Sequence, residues 1–211
     1  LFYMKRAPGE QTYKLYMRDG LPAAERLLVD PDAFKEGDQP ATIDYFRASP
    51  NGKRMAFGIS LGGSENASLH VMDVATRSPL GAPIPRARWS SPAWRFDSDV
   101  LFYTQQKVAA PNAPPAELLR GSRSYMRTFP VDGVPRDAVL FGADLTSAVA
   151  IDQDDIPAIE VSPVSPFAIG IVQHGVQREI SLYVVRLTQL RGAATPWRRL
   201  AGPERGIVGF D

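Results

Sequence analysis

A chain of 211 residues is long enough for one domain with a sizeable core, and its 24 Lys and Arg against 23 Asp and Glu leave no basic field to hold phosphates, so no nucleic acid partner is expected. The absence of cysteine excludes a disulfide framework, thiolate metal sites and a cysteine nucleophile. No apolar run approaches the ~18 residues of a membrane helix, so no membrane partner is expected, and 19 prolines with 17 glycines suit many turns and little long helix.

The chain opens without Met on Leu1-Phe2-Tyr3-Met4, which reads as a strand already under way. It stops on Gly206 to Asp211, which reads as a strand starting. It is therefore expected to be part of a longer protein, with any signal peptide outside it and no compartment legible. The first unit has a hairpin, Phe2 to Lys5 and Tyr13 to Arg18, joined by Ala7-Pro8-Gly9-Glu10. A further strand, Arg26 to Val29, ends at Asp30-Pro31.

In the second unit Ile43 to Arg47 reads as a strand, and Ser49-Pro50-Asn51-Gly52 as a turn, since Pro presets φ and Asn-Gly accepts positive φ. Met55 to Ser60 follows, with Met55, Phe57 and Ile59 on one face and Ala56, Gly58 and Ser60 on the other. That period of two, large against small, fits a sheet packed on both sides. Leu69 to Val74 is the next strand and Leu80 to Ile84 a fourth. The third unit reads as Arg86 to Ser90, Ala93 to Asp97, Val100 to Thr104, a loop with a helical turn over Lys107 to Arg120, then Ser124 to Phe129 and Ala138 to Phe141. The fourth reads as Ile156 to Val161, Phe167 to Val172, Ile180 to Leu187 and Trp197 to Leu200.

Two internal repeats tie these units together. Ser49-Pro50 recurs as Ser162-Pro163 at an offset of 113, and the same offset carries Leu69-His70 onto Leu182-Tyr183 and Met72 onto Val185. Trp94 to Tyr103 overlays Ala48 to Phe57 at an offset of 46, the period of a propeller blade. The expected fold is all-β, a partial β-propeller of about four blades of four-stranded antiparallel sheets. The blades are expected near residues 1–35, 41–85, 86–145 and 156–202, with the start of a further blade at 206–211.

Phe2-Tyr3-Met4-Lys5-Arg6, Gly9-Glu10-Gln11, Lys14-Leu15-Tyr16 and Leu28-Val29-Asp30-Pro31 stand in this order, followed by Ser49-Pro50-Asn51-Gly52-Lys53, Gly62-Gly63-Ser64-Glu65, Val71 to Thr76 and Trp94 through Phe102-Tyr103. This ordered set resembles the opening propeller strands of the prolyl oligopeptidase family, well over residues 1–104 and loosely beyond. The resemblance implies a seven-bladed propeller capping an α/β-hydrolase domain with a Ser/Asp/His triad, that domain lying outside this chain. It implies a serine endopeptidase whose propeller admits short peptides and excludes folded proteins. It also places Phe102, as a substrate-proximal aromatic, near the pocket. The chain departs from the family's His-x-Leu-Gly segment, where Met126-Arg127-Thr128-Phe129 stands. A divergent member is expected.

No residue within the chain is expected to be catalytic, and no metal or cofactor is expected. Gly62-Gly63-Ser64-Glu65-Asn66 lacks the second glycine and following helix of a nucleophile elbow, so Ser64 reads as part of an inter-strand turn. His70 falls in register with Tyr16 and Tyr183, which suits aromatic packing between blades, and His174 before Gly175 reads as a turn residue with a structural or solvated role. Asp152, Asp154 and Asp155 lack the spacing of a calcium loop and read as a solvated cluster. Trp89, Trp94 and Phe102 suit either a lumen lining or blade-to-blade core, and Asn66-Ala67-Ser68 is a glycosylation sequon by pattern alone.

Two functions follow. In the first, the chain is the gating and size-selecting propeller of a prolyl oligopeptidase-like enzyme, with a peptide substrate and the hydrolase domain as partners. In the second, it is a stand-alone propeller scaffold for protein interactions. A self-contained hydrolase built on Ser64 and His174 is disfavoured. Bare sheet faces, if each carries on the order of 500 Å² of apolar surface, forgo about 12 kcal/mol of burial, so self-association of the isolated segment is expected.

Overall fold

Turn residues punctuate residues 1–88 at short intervals, and the chain answers with two three-stranded meanders. The computed structural model describes residues 1–108, 110, 112–114, 117, 120–131 and 133–209. Two units divide it, Leu1–Arg88 and Trp89–Asp211. In the first, β1 (Phe2–Lys5), β2 (Lys14–Met17) and β3 (Arg26–Val29) pair in chain order. Asp30 then caps a 3-10 turn, Pro31–Phe34, accepting from the Asp32 N–H. The second sheet is β4 (Ala41–Ala48), β5 (Arg54–Leu61) and β6 (Ser68–Asp73).

β5 is buried from Met55 through Ser60, as a strand covered on both faces must be. Its large face joins one core, in which Met55, Phe57 and Ile59 meet Leu15, Leu28, Val29, Ile43 and Met72. Its small face has a specific reason at Gly58. A Cβ there would lie 2.4 Å from the Tyr45 ring, and the Tyr45 hydroxyl is fixed by donating to the Ala87 carbonyl at 2.8 Å.

In the second unit β7 (Ala93–Trp94), β8 (Val100–Gln106), β9 (Ser122–Thr128) and β10 (Arg136–Gly142) form one antiparallel sheet, and β11 (Asp155–Val161), β12 (Phe167–His174), β13 (Ile180–Arg186) and β14 (Arg198–Ala201) the other. The two sheets share a core that includes Phe102, Leu140, Phe141, Ala168, Val172, Val185 and Trp197. Gly170 lets them approach, since a Cβ on it would sit 3.2 Å from both Phe141 and Trp197.

Both repeats are structural. The turns at Ser49 and Ser162 join β4 to β5 and β11 to β12, each closed by an N–H···O bond, Gly52 to Ser49 at 2.8 Å and Ser165 to Ser162 at 3.2 Å. The offset of 46 is followed bond for bond. Ser49 N–H donates to the Arg54 carbonyl at 2.8 Å and Arg95 N–H to that of Val100 at 2.9 Å. Asn51 Oδ1 accepts from Lys53 N–H at 3.0 Å, and Asp97 Oδ1 from Asp99 N–H at 3.1 Å. Ser98 takes φ 66°, where the first turn has Gly52 at 69°.

Among the described residues the fold is thus an all-β partial propeller of four antiparallel sheets, two with three strands and two with four. Four expectations require correction. Leu80 to Ile84 makes only a single bridge, Ile84 with Leu69, next to the bridge of Pro79 with Met72, because Pro79, Pro83 and Pro85 remove ladder donors. Arg86 to Ser90 is no strand, since Arg86 and Trp89 take positive φ of 58° and 57°. The strand at Ala93 stops after Trp94, and the turn to Ser98 leaves Phe96 exposed. Gly206 to Gly209 form no strand, while Phe210, Asp211 and parts of the Lys107–Arg120 loop lie outside the described residues.

Candidate functional site

Strand pairing in the fourth sheet puts Asp155 directly across from His174. β13 then brings Ser181 opposite Val172, two residues along. The three side chains bond in line. His174 Nδ1 lies 3.1 Å from Asp155 Oδ1, and Nε2 lies 2.8 Å from the Ser181 hydroxyl oxygen. This is the connectivity of an acid, imidazole and serine triad.

Its setting is structural. Ser181 is 2 % exposed and Asp155 5 %. Ser181 stands within a strand paired on both sides, so the nearby peptide groups serve the ladder. No strained strand-to-helix turn presents the hydroxyl to a substrate. The second oxygen of Asp155 accepts from the Asp152 N–H at 2.8 Å, so the carboxylate anchors the turn that starts β11. A buried carboxylate needs such partners, and the trio supplies them.

The remaining candidates disperse. Asp155 is buried rather than solvated, which corrects the reading of the acidic cluster. Asp154 instead pairs with Arg120, Nε–Oδ1 at 2.7 Å and the second bond at 3.1 Å. His174 is the last residue of β12, not a turn residue. Ser64 is exposed between Gly63 (φ 71°) and Glu65 (φ 54°). His70 stacks on Phe57 with centroids 5.2 Å apart and meets the edge of Phe34 at 5.1 Å, and burial holds its pKa below the ordinary 6.5. Trp94 and Phe102 are core, Phe102 fully buried, while Trp89 is 44 % exposed. As placed, the Phe102 ring presents no surface to a ligand. Among the described residues no three His, Cys, Asp or Glu side chains group as a metal site, and no helix is long and apolar enough to cross a membrane.

Arg127, in the segment that departs from the family's pattern, is 7 % exposed. It holds Asp137 with two bonds of 2.8 Å and lies over the Tyr103 ring. Burial, then the neighbouring Asp137 carboxylate, raise the Tyr103 pKa far above its usual range. This cluster is saturated within itself.

Residues 1–113 match the family described as prolyl oligopeptidase, N-terminal beta-propeller domain. The chain belongs to that family. Solved prolyl oligopeptidase structures agree in fold over nearly the whole chain. One, from a study of two prolyl endopeptidases and of inter-domain dynamics in catalysis and specificity, superposes with a TM-score of 0.76 at 18% identity, covering 95% of this chain and 28% of that one. Prolyl oligopeptidase B from Galerina marginata, bound to a 35mer hydrolysis and macrocyclization substrate, gives 0.73 at 15% identity, covering 95% and 29%. Its apo form gives 0.73 at 14% identity, with the same coverage. The chain is a divergent member and spans less than a third of these solved relatives.

Proposed function

We propose that this chain is the gating, size-selecting propeller segment of a prolyl oligopeptidase-like serine endopeptidase that cleaves short peptides. The observation that carries the reading is the family match over residues 1–113. Its support is that the two features resembling catalytic machinery, Ser64 and the Asp155–His174–Ser181 trio, are respectively an exposed turn and a buried anchor. Acyl transfer then belongs to the α/β-hydrolase domain of the same protein, with a serine nucleophile, a histidine base and an oxyanion hole. The propeller raises specificity by excluding chains too large to pass.

The test is an assay of the protein carrying this chain together with its hydrolase domain. It is expected to cleave a short fluorogenic proline-containing peptide and to spare the same sequence displayed on a folded protein. Deleting residues 1–211 is expected to remove that discrimination. Equal cleavage of both substrates by the intact protein, or no peptidase activity, overturns the reading.

A further inference from the structure

A cavity of about 590 Å³ lies within the first unit, beside β3 and β6, in the size range of small-molecule sites. Leu27, Val29, Phe34, Phe57, Met72 and Pro79 give it apolar walls. Two polar side chains in the lining are unspent. The His70 ring is clamped between Phe57 and Phe34, and among the described residues its nitrogens have no hydrogen-bond partner. Burial alone acts on its titration, so the ring is neutral at pH 7 and offers one donor and one acceptor.

The second is Arg77. It is exposed, and its left-handed backbone (φ 62°) follows the turn after β6, where its N–H donates to the Asp73 carbonyl at 2.9 Å. Among the described residues its guanidinium makes no ion pair or hydrogen bond. The other charges nearby are already engaged. Asp30, also in the lining, has Oδ2 3.0 Å from Lys14 Nζ, and its Oδ1 accepts from Asp32 N–H. Arg26 donates to the Val74 and Ala75 carbonyls. Asp73 accepts from Thr76 N–H and hydroxyl. Among the described residues Arg77 is therefore the charged side chain of the lining that has no ion-pair partner, while Asp30 is held by Lys14, which also holds Glu10.

We propose that this cavity binds a small carboxylic acid with an apolar body, its carboxylate on Arg77, its body against Phe34, Phe57 and Met72, and one hydrogen bond from His70. A guanidinium matches a carboxylate with two parallel N–H···O bonds, and the walls take the rest by desolvation. A cationic ligand meets the same charge unfavourably. The acid is either a free small molecule or a peptide C-terminus. The inference does not depend on the peptidase reading, since it concerns residues 27–83 alone.

Calorimetric titration of the 211-residue chain at pH 7.5 tests it, with 4-phenylbutyrate and N-acetyl-Leu-Phe as probes and the amide of each as control. Both acids are expected to bind saturably, about tenfold tighter than their amides, a difference of ~1.4 kcal/mol. Arg77→Gln is expected to abolish that distinction while leaving the thermal midpoint unchanged, because among the described residues the exposed guanidinium makes no ion pair or hydrogen bond that folding would lose. Arg77→Lys is expected to retain part of it. The tighter of the two acids identifies the source, free acid or peptide end. Equal affinity for acid and amide, an unchanged acid affinity in Arg77→Gln, or no saturation of either acid by about 10 mM overturns the proposal.

Discussion

The Ser181 hydroxyl oxygen lies 2.8 Å from His174 Nε2, yet Ser181 is only 2 % exposed. Proximity of nucleophile and base is therefore present without access. The 211-residue chain is expected to hydrolyse p-nitrophenyl acetate no faster than Ser181→Ala does. Its stability responds instead. Asp155→Ala removes the acceptor of both His174 and the Asp152 N–H, at a cost of about 1–3 kcal/mol, and Ser181→Ala costs ~1 kcal/mol. Urea unfolding measures both. A variant-sensitive esterase rate would reassign the trio.

Gly58→Ala places a methyl 2.4 Å from the Tyr45 ring. The ring is held by its bond to Ala87, so the strain is not relieved by a small rotation. The expected loss is ~1–3 kcal/mol, as for overpacked cores. Adding Tyr45→Leu should recover part of it, and a double-mutant cycle by denaturant midpoint reads the coupling.

Phe102→Ala empties a fully buried position in the second unit's core. The expected cost is about 3–5 kcal/mol, and Phe102→Leu much less. An unchanged melting temperature in Phe102→Ala would count against this core role.

His70 links stability to pH. Its folded pKa lies below 6.5 because burial disfavours the charged ring. The unfolded chain therefore takes up the proton more readily. The contribution is complete above the unfolded value near 6.5 and is lost as pH falls through the lower folded value. His70→Phe is expected to lose less stability than wild type between pH 7.5 and pH 5, measured as the shift in urea midpoint.

β12 turns Phe167, Ile169 and Ile171 to a half-buried face that lines a cavity of about 670 Å³ with Val161 and Ile180. Such a face favours association. Sedimentation velocity of the 211-residue chain is expected to show concentration-dependent assembly, reduced by Ile169→Lys. A monomer at every concentration would count against it.

Strands with strict alternation or strong turns were readable. β5 announces itself by large and small residues in turn, and Ser49-Pro50-Asn51-Gly52 by its φ preferences. The offset of 46 even anticipates Ser98 in the place of Gly52. What local sequence does not carry is long-range register. Asp155, His174 and Ser181 meet only through antiparallel pairing across 19 and 7 residues. A carboxylate-rich turn therefore reads as solvated although one of its members, Asp155, is buried. Arg86 to Ser90 has the composition of a strand, with Trp89 and alternating Arg. The proline before it, and the two left-handed residues within it, decide otherwise.

Every sheet is a meander in which each strand pairs with its neighbour in sequence. Among the described residues no strand pairing waits for a distant segment to be synthesised. Each sheet is thus able to form soon after its last strand leaves the ribosome, with small loop-closure entropy and brief exposure of unpaired edges. The N-terminal sheets are then in place before the later ones exist, and the order of translation becomes the order of assembly.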